Sequence, residues 1–253
     1  VSCERVFQPM LEGKAVVVLS NNDGCIIARS QEAKDMGFKM GEPIFKCKSQ
    51  IKKNKVIMRS SNFSLYGDMS CRVMDILKLF VKNIEVYSID EAFLDLSDCL
   101  NRNLVEEMKI IQSTVYMWTG IPISIGIGRT KTLAKLANQY AKKNPETGGV
   151  VKIPVQSELI LKKMKCCDVW GIGYKWSKKL EMLGIQTAFD LANSNELIIR
   201  DFLNIAAMNT SLELRGNCIF HLNEIQDKKK TLIRSQSFAN PITNWQEMSY
   251  SIA

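Results

Sequence analysis

Ser88-Ile89-Asp90-Glu91-Ala92-Phe93-Leu94-Asp95-Leu96 is the stretch on which the reading of this chain turns. Two adjacent carboxylates interrupt apolar residues that read as two strands, 84–89 and 92–96. Apolar neighbours on both sides put Asp90 and Glu91 at a sheet margin, where unpaired charge is costly. A divalent cation relieves that cost, and Mg²⁺ takes carboxylate oxygens together with substrate phosphates. An ordinary hairpin turn, which also favours Asp, is the alternative reading.

Working outward, the charge is segmented. The chain has 253 residues and a formal net charge of +8. Residues 29–59 carry nine basic and three acidic residues, 129–143 carry five basic and no acidic ones, and 162–179 carry six basic residues against Asp168. Residues 85–107 carry seven acids against Arg102. Basic segments around an acidic one suggest a polyanionic partner and a local cation site; solvated helix faces are the plainer alternative. The lone His221 excludes a His-rich metal site and makes a Ser-His-Asp triad a poor candidate. No apolar run approaches the roughly 18 residues of a membrane helix. Eight scattered cysteines without a C-x-x-C, and with no secretory leader pattern, read as free thiols of a cytoplasmic protein.

The first two thirds alternate strands and helices. Strands are expected at 15–19, 26–28 and 123–128, and helices at 31–36, 64–79, 104–118 and 130–143. On the last helix Lys131, Lys135, Asn138 and Lys142 share a polar face that can hold phosphates or be solvated. From about residue 155 short helices follow one another: 158–165, 175–183, 187–192, 196–203 and 206–214. Within them Asp168-Val169-Trp170-Gly171-Ile172-Gly173 precedes Lys175, Lys178 and Lys179. A G-x-G turn between short helices resembles a helix-hairpin-helix, whose backbone N–H groups accept an anion; a structural helical hairpin is the alternative. Ser20-Asn21-Asn22-Asp23-Gly24-Cys25 reads alone as a turn.

The ordered set of motifs resembles the Y-family translesion DNA polymerases, in particular their UmuC branch, the catalytic subunit of bacterial DNA polymerase V. The resemblance runs through Leu19-Ser20-Asn21-Asn22-Asp23-Gly24-Cys25, Glu32-Ala33-Lys34, Gly37-Phe38-Lys39-Met40-Gly41, Ser60-Ser61-Asn62, Leu65-Tyr66, the Asp90-Glu91 segment, Lys131-Thr132-Leu133-Ala134-Lys135-Leu136-Ala137-Asn138, Thr147-Gly148-Gly149-Val150 and the Asp168–Gly173 turn. It implies an α+β right-hand fold: small α/β fingers (1–62), a ferredoxin-like palm sheet (63–152), an all-helical thumb (153–227), then a linker at Lys228-Lys229-Lys230 and the start of a little finger at Arg234-Ser235-Gln236-Ser237-Phe238. It implies error-prone, SOS-type synthesis with two Mg²⁺ ions on Asp90 and Glu91. Lys142 and Lys34 would contact the triphosphate, with Asn22 and Asp23 over the nascent pair. Ser88, Lys135, Gly171, Gly173, Lys175 and Lys178 would hold primer-template DNA. A UmuD-like dimer and RecA would be partners.

Such polymerases begin with a strand bearing a third metal-binding Asp and an aromatic steric gate, upstream of a segment matching Val1-Ser2-Cys3-Glu4. The expectation is therefore an internal fragment without that first palm strand and without any C-terminal sliding-clamp peptide, inactive alone in extension. A non-catalytic damaged-DNA-binding remnant is the alternative. Another palm-fold enzyme, such as a nucleotide cyclase, is disfavoured by the helical hairpin.

Overall fold

The computed structural model describes residues 1–99, 103–154, 157–222 and 241–252. The expected linker lysines 228–230 and the stretch 234–238 lie outside the described residues. The chain divides into two compact units, 1–67 with 227–253, and 68–226.

The first unit opens with α1 (Ser2–Phe7) and is built on β1 (Val16–Leu19), all four of whose residues are buried. A β-branched run of this kind can be covered on both faces. β1 pairs antiparallel with β2 (Ile26–Arg29) and parallel with β3 (Ile57–Ser60). Between β2 and β3 run α2 (Gln31–Asp35) and α3 (Ile44–Lys53). Ser30 caps α2 by accepting from Ala33 N–H, and Gly37, at φ +88°, takes the chain out of it. Val17, Leu19, Ile26, Phe38 and Ile51 form the core. α4 (Phe63–Lys78) follows.

The second unit has two cores. β4 (Ile84–Ser88) and β5 (Glu91–Leu94) form an antiparallel hairpin whose register shifts between Val86 and Ser88. Ile84, Val86, Ala92 and Leu94 pack on Val73 and Leu77 of α4 and on Met108, Ile111 and Val115 of α5 (Leu104–Thr119). Gly120, at φ +70°, ends α5. β5 stops short of residues 95–96: the Asp95 N–H still donates to the Asn83 carbonyl at 3.1 Å, while its side-chain Oδ1 accepts from the Ser97 N–H at 3.0 Å and hydroxyl at 2.6 Å, in the turn that follows. β6 (Ile125–Ile127) pairs parallel with β7 (Val150–Lys152). The strands of this unit thus form two two-stranded ladders.

α6 (Lys131–Lys143) lies directly on β6. A Cβ on Gly126 would stand 2.1 Å from the Ala134 carbonyl oxygen and 2.2 Å from the Asn138 nitrogen. The small-residue face of β6 is therefore the seat of the helix backbone. The opposite side of α6 buries Leu133, Leu136 and Ala137 in the helical core. That core is made with α7 (Glu158–Lys163), α8 (Tyr174–Met182), α9 (Ala188–Asn193), α10 (Glu196–Phe202) and α11 (Ile205–Leu214). Residues 241–252 carry α12 (Trp245–Ile252). Among the described residues no helix is long and apolar enough to cross a membrane. The seven cysteines whose side chains are described are all free.

Candidate active site

The β4–β5 hairpin presents two faces. One is apolar and faces the core; the other carries Glu85, Tyr87 and Phe93. The shift at Val86/Ser88 turns the end of the hairpin, so Asp90 sits exposed in the turn and Glu91 opens β5. Asp90 Oδ1 accepts from the Ser88 hydroxyl at 2.7 Å. Asp90 has no basic partner among the described residues.

α6 supplies the charge opposite this face. Lys131 and Lys135, one turn apart, both point at the hairpin. Lys131 pairs with Glu85 and is only 8% exposed; its ammonium lies 5.0 Å from the Phe93 ring centroid. Lys135 donates to Glu91 Oε2 at 3.0 Å. Its ammonium also lies 4.6 Å from the Tyr87 ring and 5.1 Å from the Trp170 ring. The N-terminal half of the polar face of α6 is therefore folded against the hairpin and not solvated. Farther along, the Ser124 hydroxyl and the Asn138 amide oxygen meet at 2.6 Å, and Lys142 is exposed in the last turn.

Aromatic rings bind the hairpin to the helical part. Trp170 packs edge-on against Tyr87, centroids 5.5 Å apart, and its indole N–H donates to the Tyr87 hydroxyl at 3.3 Å. Phe93 and Phe220 flank the same indole at 5.8 and 5.6 Å. The other end of α6 is tied down as well: Lys143 and Gln139 donate to the two oxygens of Asp168 at 2.6 and 3.0 Å.

The Gly171–Gly173 turn lies just beyond. Gly171 takes φ +84°, and Gly173 is the N-cap of α8. The first N–H groups of a helix have no intrahelical partner; in α8 the Trp176 and Ser177 N–H groups donate to the Gly173 carbonyl, which leaves those of Tyr174 and Lys175 to face an anion. Lys175 is exposed. Lys178 pairs with Glu181 at 2.8 Å, and that bond raises its pKa. Cys166, in the core beneath the turn, is fully buried. Burial pushes its thiol up to about 12, so it stays protonated and inert.

Lys34, Asn22 and Asp23 belong to the first unit. Lys34 is exposed at the end of α2. Asn22 Oδ1 accepts from Ser20 Oγ at 2.8 Å, and Asp23, at φ +53°, accepts from Ser60 Oγ at 2.9 Å. Ser20 N–H donates to the Cys25 carbonyl, closing the loop.

Four residues that organise the site were not singled out from sequence for this role: Glu85, Tyr87, Trp170 and Glu213. The first two were readable as alternate positions on one strand face. Glu213 had no signal. It is completely buried in α11. Its carboxylate accepts from Thr132 N–H at 2.9 Å, at the start of α6, and from Ile219 and Phe220 N–H at 3.0 and 2.9 Å. Thr130, the N-cap of α6, donates its hydroxyl to the Glu213 carbonyl at 2.9 Å.

As a metal site the residues fit Mg²⁺ in part. Hard carboxylate oxygens at an exposed turn suit an ion that uses one or two carboxylates with water and phosphate oxygens. Among the described residues no group of three or more His, Cys, Asp or Glu side chains could enclose a metal.

The family model described as impB/mucB/samB matches residues 1–139. The chain is 45% identical over 255 residues to the UmuC protein of Salmonella typhimurium, a match that covers 99% of the chain and 60% of that relative. It is 37% identical over 261 residues to MucB of Escherichia coli, with the same coverage. It is 32% identical over 234 residues to DNA polymerase IV of Picrophilus torridus, covering 89% of the chain and 65% of the relative. Among solved structures, DinB from Sulfolobus solfataricus matches with a TM-score of 0.71 at 27% identity, over 84% of this chain and 62% of that one. A Dbh-based Y-family DNA polymerase chimera matches with a TM-score of 0.76 at 26% identity, over 89% and 67%. The chain belongs to the impB/mucB/samB family, has the fold of Y-family polymerases, and spans about 60% of the length of these UmuC and MucB relatives.

Proposed function

From this membership, we propose that the chain supplies the fingers, palm and thumb of an error-prone, template-directed DNA polymerase. The observation that carries the reading is the hairpin end: Asp90 exposed and Glu91 half-buried next to it, beside a lysine-bearing helix and a helix-hairpin-helix turn. Residues 1–62 would be fingers, 63–152 palm, 153–227 thumb and 228–253 the entry to a little finger.

Asp90 and Glu91 would hold divalent cations, Mg²⁺ being the ion their hard oxygens suit. Such ions, when bound, lower the pKa of the primer 3′-hydroxyl and neutralise charge on the transferring phosphoryl group. The chain's own residues orient the reactants. Ser88 fixes the Asp90 carboxylate by donating to Oδ1. Lys142, exposed and on the same stripe as Lys135, would take the triphosphate, with Lys34 contributing from the fingers. The tight Ser20–Cys25 loop, with Asn22 and Asp23, would cover the nascent base pair. Gly171, Gly173 and the N–H groups opening α8, with Lys175 and Lys178, would grip backbone phosphates without reading sequence. Partners in this proposal are primer-template DNA, a dNTP and, by resemblance alone, a UmuD-like dimer and RecA.

The test is fluorescence anisotropy on a primer-template duplex, followed by primer extension with the full-length protein. Binding should weaken steeply with salt. Asp90→Ala should abolish extension and leave duplex binding intact. Extension that survives Asp90→Ala would overturn the assignment.

A further inference from the structure

Lys135 has three neighbours that do not ordinarily come together: a carboxylate of the metal-binding pair and two aromatic faces locked to each other. We propose that Lys135 is a tethered counter-ion that neutralises Glu91 in the metal-free protein, yields the carboxylate when a divalent cation binds, and then rests on the Tyr87 and Trp170 rings. This inference rests on the reading that Asp90 and Glu91 hold the cation.

The geometry supports it in three steps. First, Glu91 is partly sheltered, its side chain 34% exposed, and the Lys135 ammonium stands 3.0 Å from Oε2. A carboxylate so placed benefits from a counter-charge until a cation arrives. Second, the ammonium and a divalent cation cannot share that oxygen. Their repulsion at contact distance is twice that of two unit charges, in surroundings less screening than bulk water. The ammonium must withdraw, and a four-carbon stem lets it do so without moving α6. Third, it has somewhere to go. The ring centroids are already 4.6 and 5.1 Å away, within cation–π range. The Trp170 N–H bond to the Tyr87 hydroxyl holds that seat in place whether or not Glu91 is engaged. Lys131 is the contrast. It pairs with Glu85, which is outside the Asp90-Glu91 pair, and it is buried; it remains a fixed structural pair.

The consequence is a tuned, weakened affinity for free metal. In the absence of DNA and nucleotide, the cation has to displace an internal one.

The test is Mn²⁺ binding to the 253-residue chain, without DNA, measured by electron paramagnetic resonance. Lys135→Met should bind Mn²⁺ about tenfold more tightly than the wild type, because no ammonium has to leave. Lys135→Arg, which keeps the charge and grips a carboxylate through two N–H groups, should bind no more tightly than the wild type. A gain with Lys135→Met and none with Lys135→Arg separates this effect from general damage to the fold, which would weaken binding in both. A second readout is tryptophan emission: Mg²⁺ should shift it in the wild type, through Trp170, and not in Lys135→Met or Trp170→Phe. If Mn²⁺ binds the wild type in a manner lost in Asp90→Asn/Glu91→Gln, yet Lys135→Met binds no tighter, the counter-ion inference falls and the metal reading stands. If no form binds Mn²⁺, both fall.

Discussion

Replacing Glu213 tests whether the joint between α6 and the helical part is as central as its geometry implies. The carboxylate is inaccessible to water and accepts from Thr132, Ile219 and Phe220 N–H at 2.9–3.0 Å. Hydrogen bonds to charged groups contribute about 1.5–3 kcal/mol each, and they do not add. Glu213→Ala leaves three buried N–H groups without an acceptor, each worth about 1–3 kcal/mol and not additive, so the variant should lose about 3–5 kcal/mol. Glu213→Gln keeps one oxygen for Ile219 and Phe220 but turns an amide N–H₂ toward the Thr132 N–H. Donor then faces donor, and the cost should be about 1.5–3 kcal/mol. For a unit of this size those values lower the melting temperature by roughly 10 °C for alanine and roughly half that for glutamine. Urea melts followed by tryptophan emission read the difference directly. An alanine variant within about 1 kcal/mol of the wild type would refute the argument that this carboxylate fastens α6.

Three further outcomes follow from single contacts. Gly126→Ala should destabilise by about 3 kcal/mol in the same melts, because its Cβ meets α6 backbone at 2.1 Å and no side chain can swing aside; Gly173→Ala, with open space at its Cβ and an ordinary φ of −75°, should stay within about 0.5 kcal/mol. Tyr66 donates to Glu4 at 2.7 Å, and burial together with that bond pushes its pKa up to about 12; its stabilisation is full below about pH 10 and is lost as pH rises from there through about 12, so an ultraviolet titration should show a tyrosinate step near pH 12 that Tyr66→Phe removes. Thr187→Ala breaks the capping box of α9 and should cost about 1 kcal/mol. Burial pushes the Asp190 carboxyl up, but the Thr187 N–H and hydroxyl and the Gln186 N–H outweigh it and hold its pKa low. The Asp190 contribution is therefore present near neutrality and fades as pH falls through that lowered value, which acid melts of the two proteins should show by converging.

The elements that sequence made legible were those whose pattern is local. The run at β1, the 3.6-residue periodicities of α4, α5 and α6, and the Gly37 and Gly120 terminators all stand within a residue or two of expectation. α1, α3 and α12 are the helices that local pattern misses. Lysines punctuate α3, and Cys47 and Ile51 are the residues it buries, so its apolar stripe is too thin to stand out. β3 and β7 are short strands whose placement depends on parallel partners far away in sequence, Val16–Leu19 and Ile125–Ile127. The strand expected at 123–128 is recognisable by its alternation, but the reason for its small residues, the backbone of α6 lying upon them, is tertiary.

The candidate site divides along the same line. Asp90 and Glu91 were legible because two carboxylates break an apolar pattern, a cost visible in sequence alone. Their surroundings were not, because charge counting treats every lysine alike. The five basic residues of 129–143 include Lys131 and Lys135, whose charge is spent on Glu85 and Glu91 inside the molecule, and Lys143, spent on Asp168. Of the lysines on the polar stripe of α6, Lys142 is left facing outward. The basic segment is then a poor measure of the positive surface offered to DNA, and a salt slope reports only the charges still free to meet phosphates. On this argument Lys175→Ala should reduce the slope of log K against log salt for duplex binding by about one. Lys131→Ala should leave the slope unchanged while destabilising the hairpin. A loss of slope with Lys131→Ala equal to that with Lys175→Ala would mean that the buried pair is not closed in the DNA-bound protein.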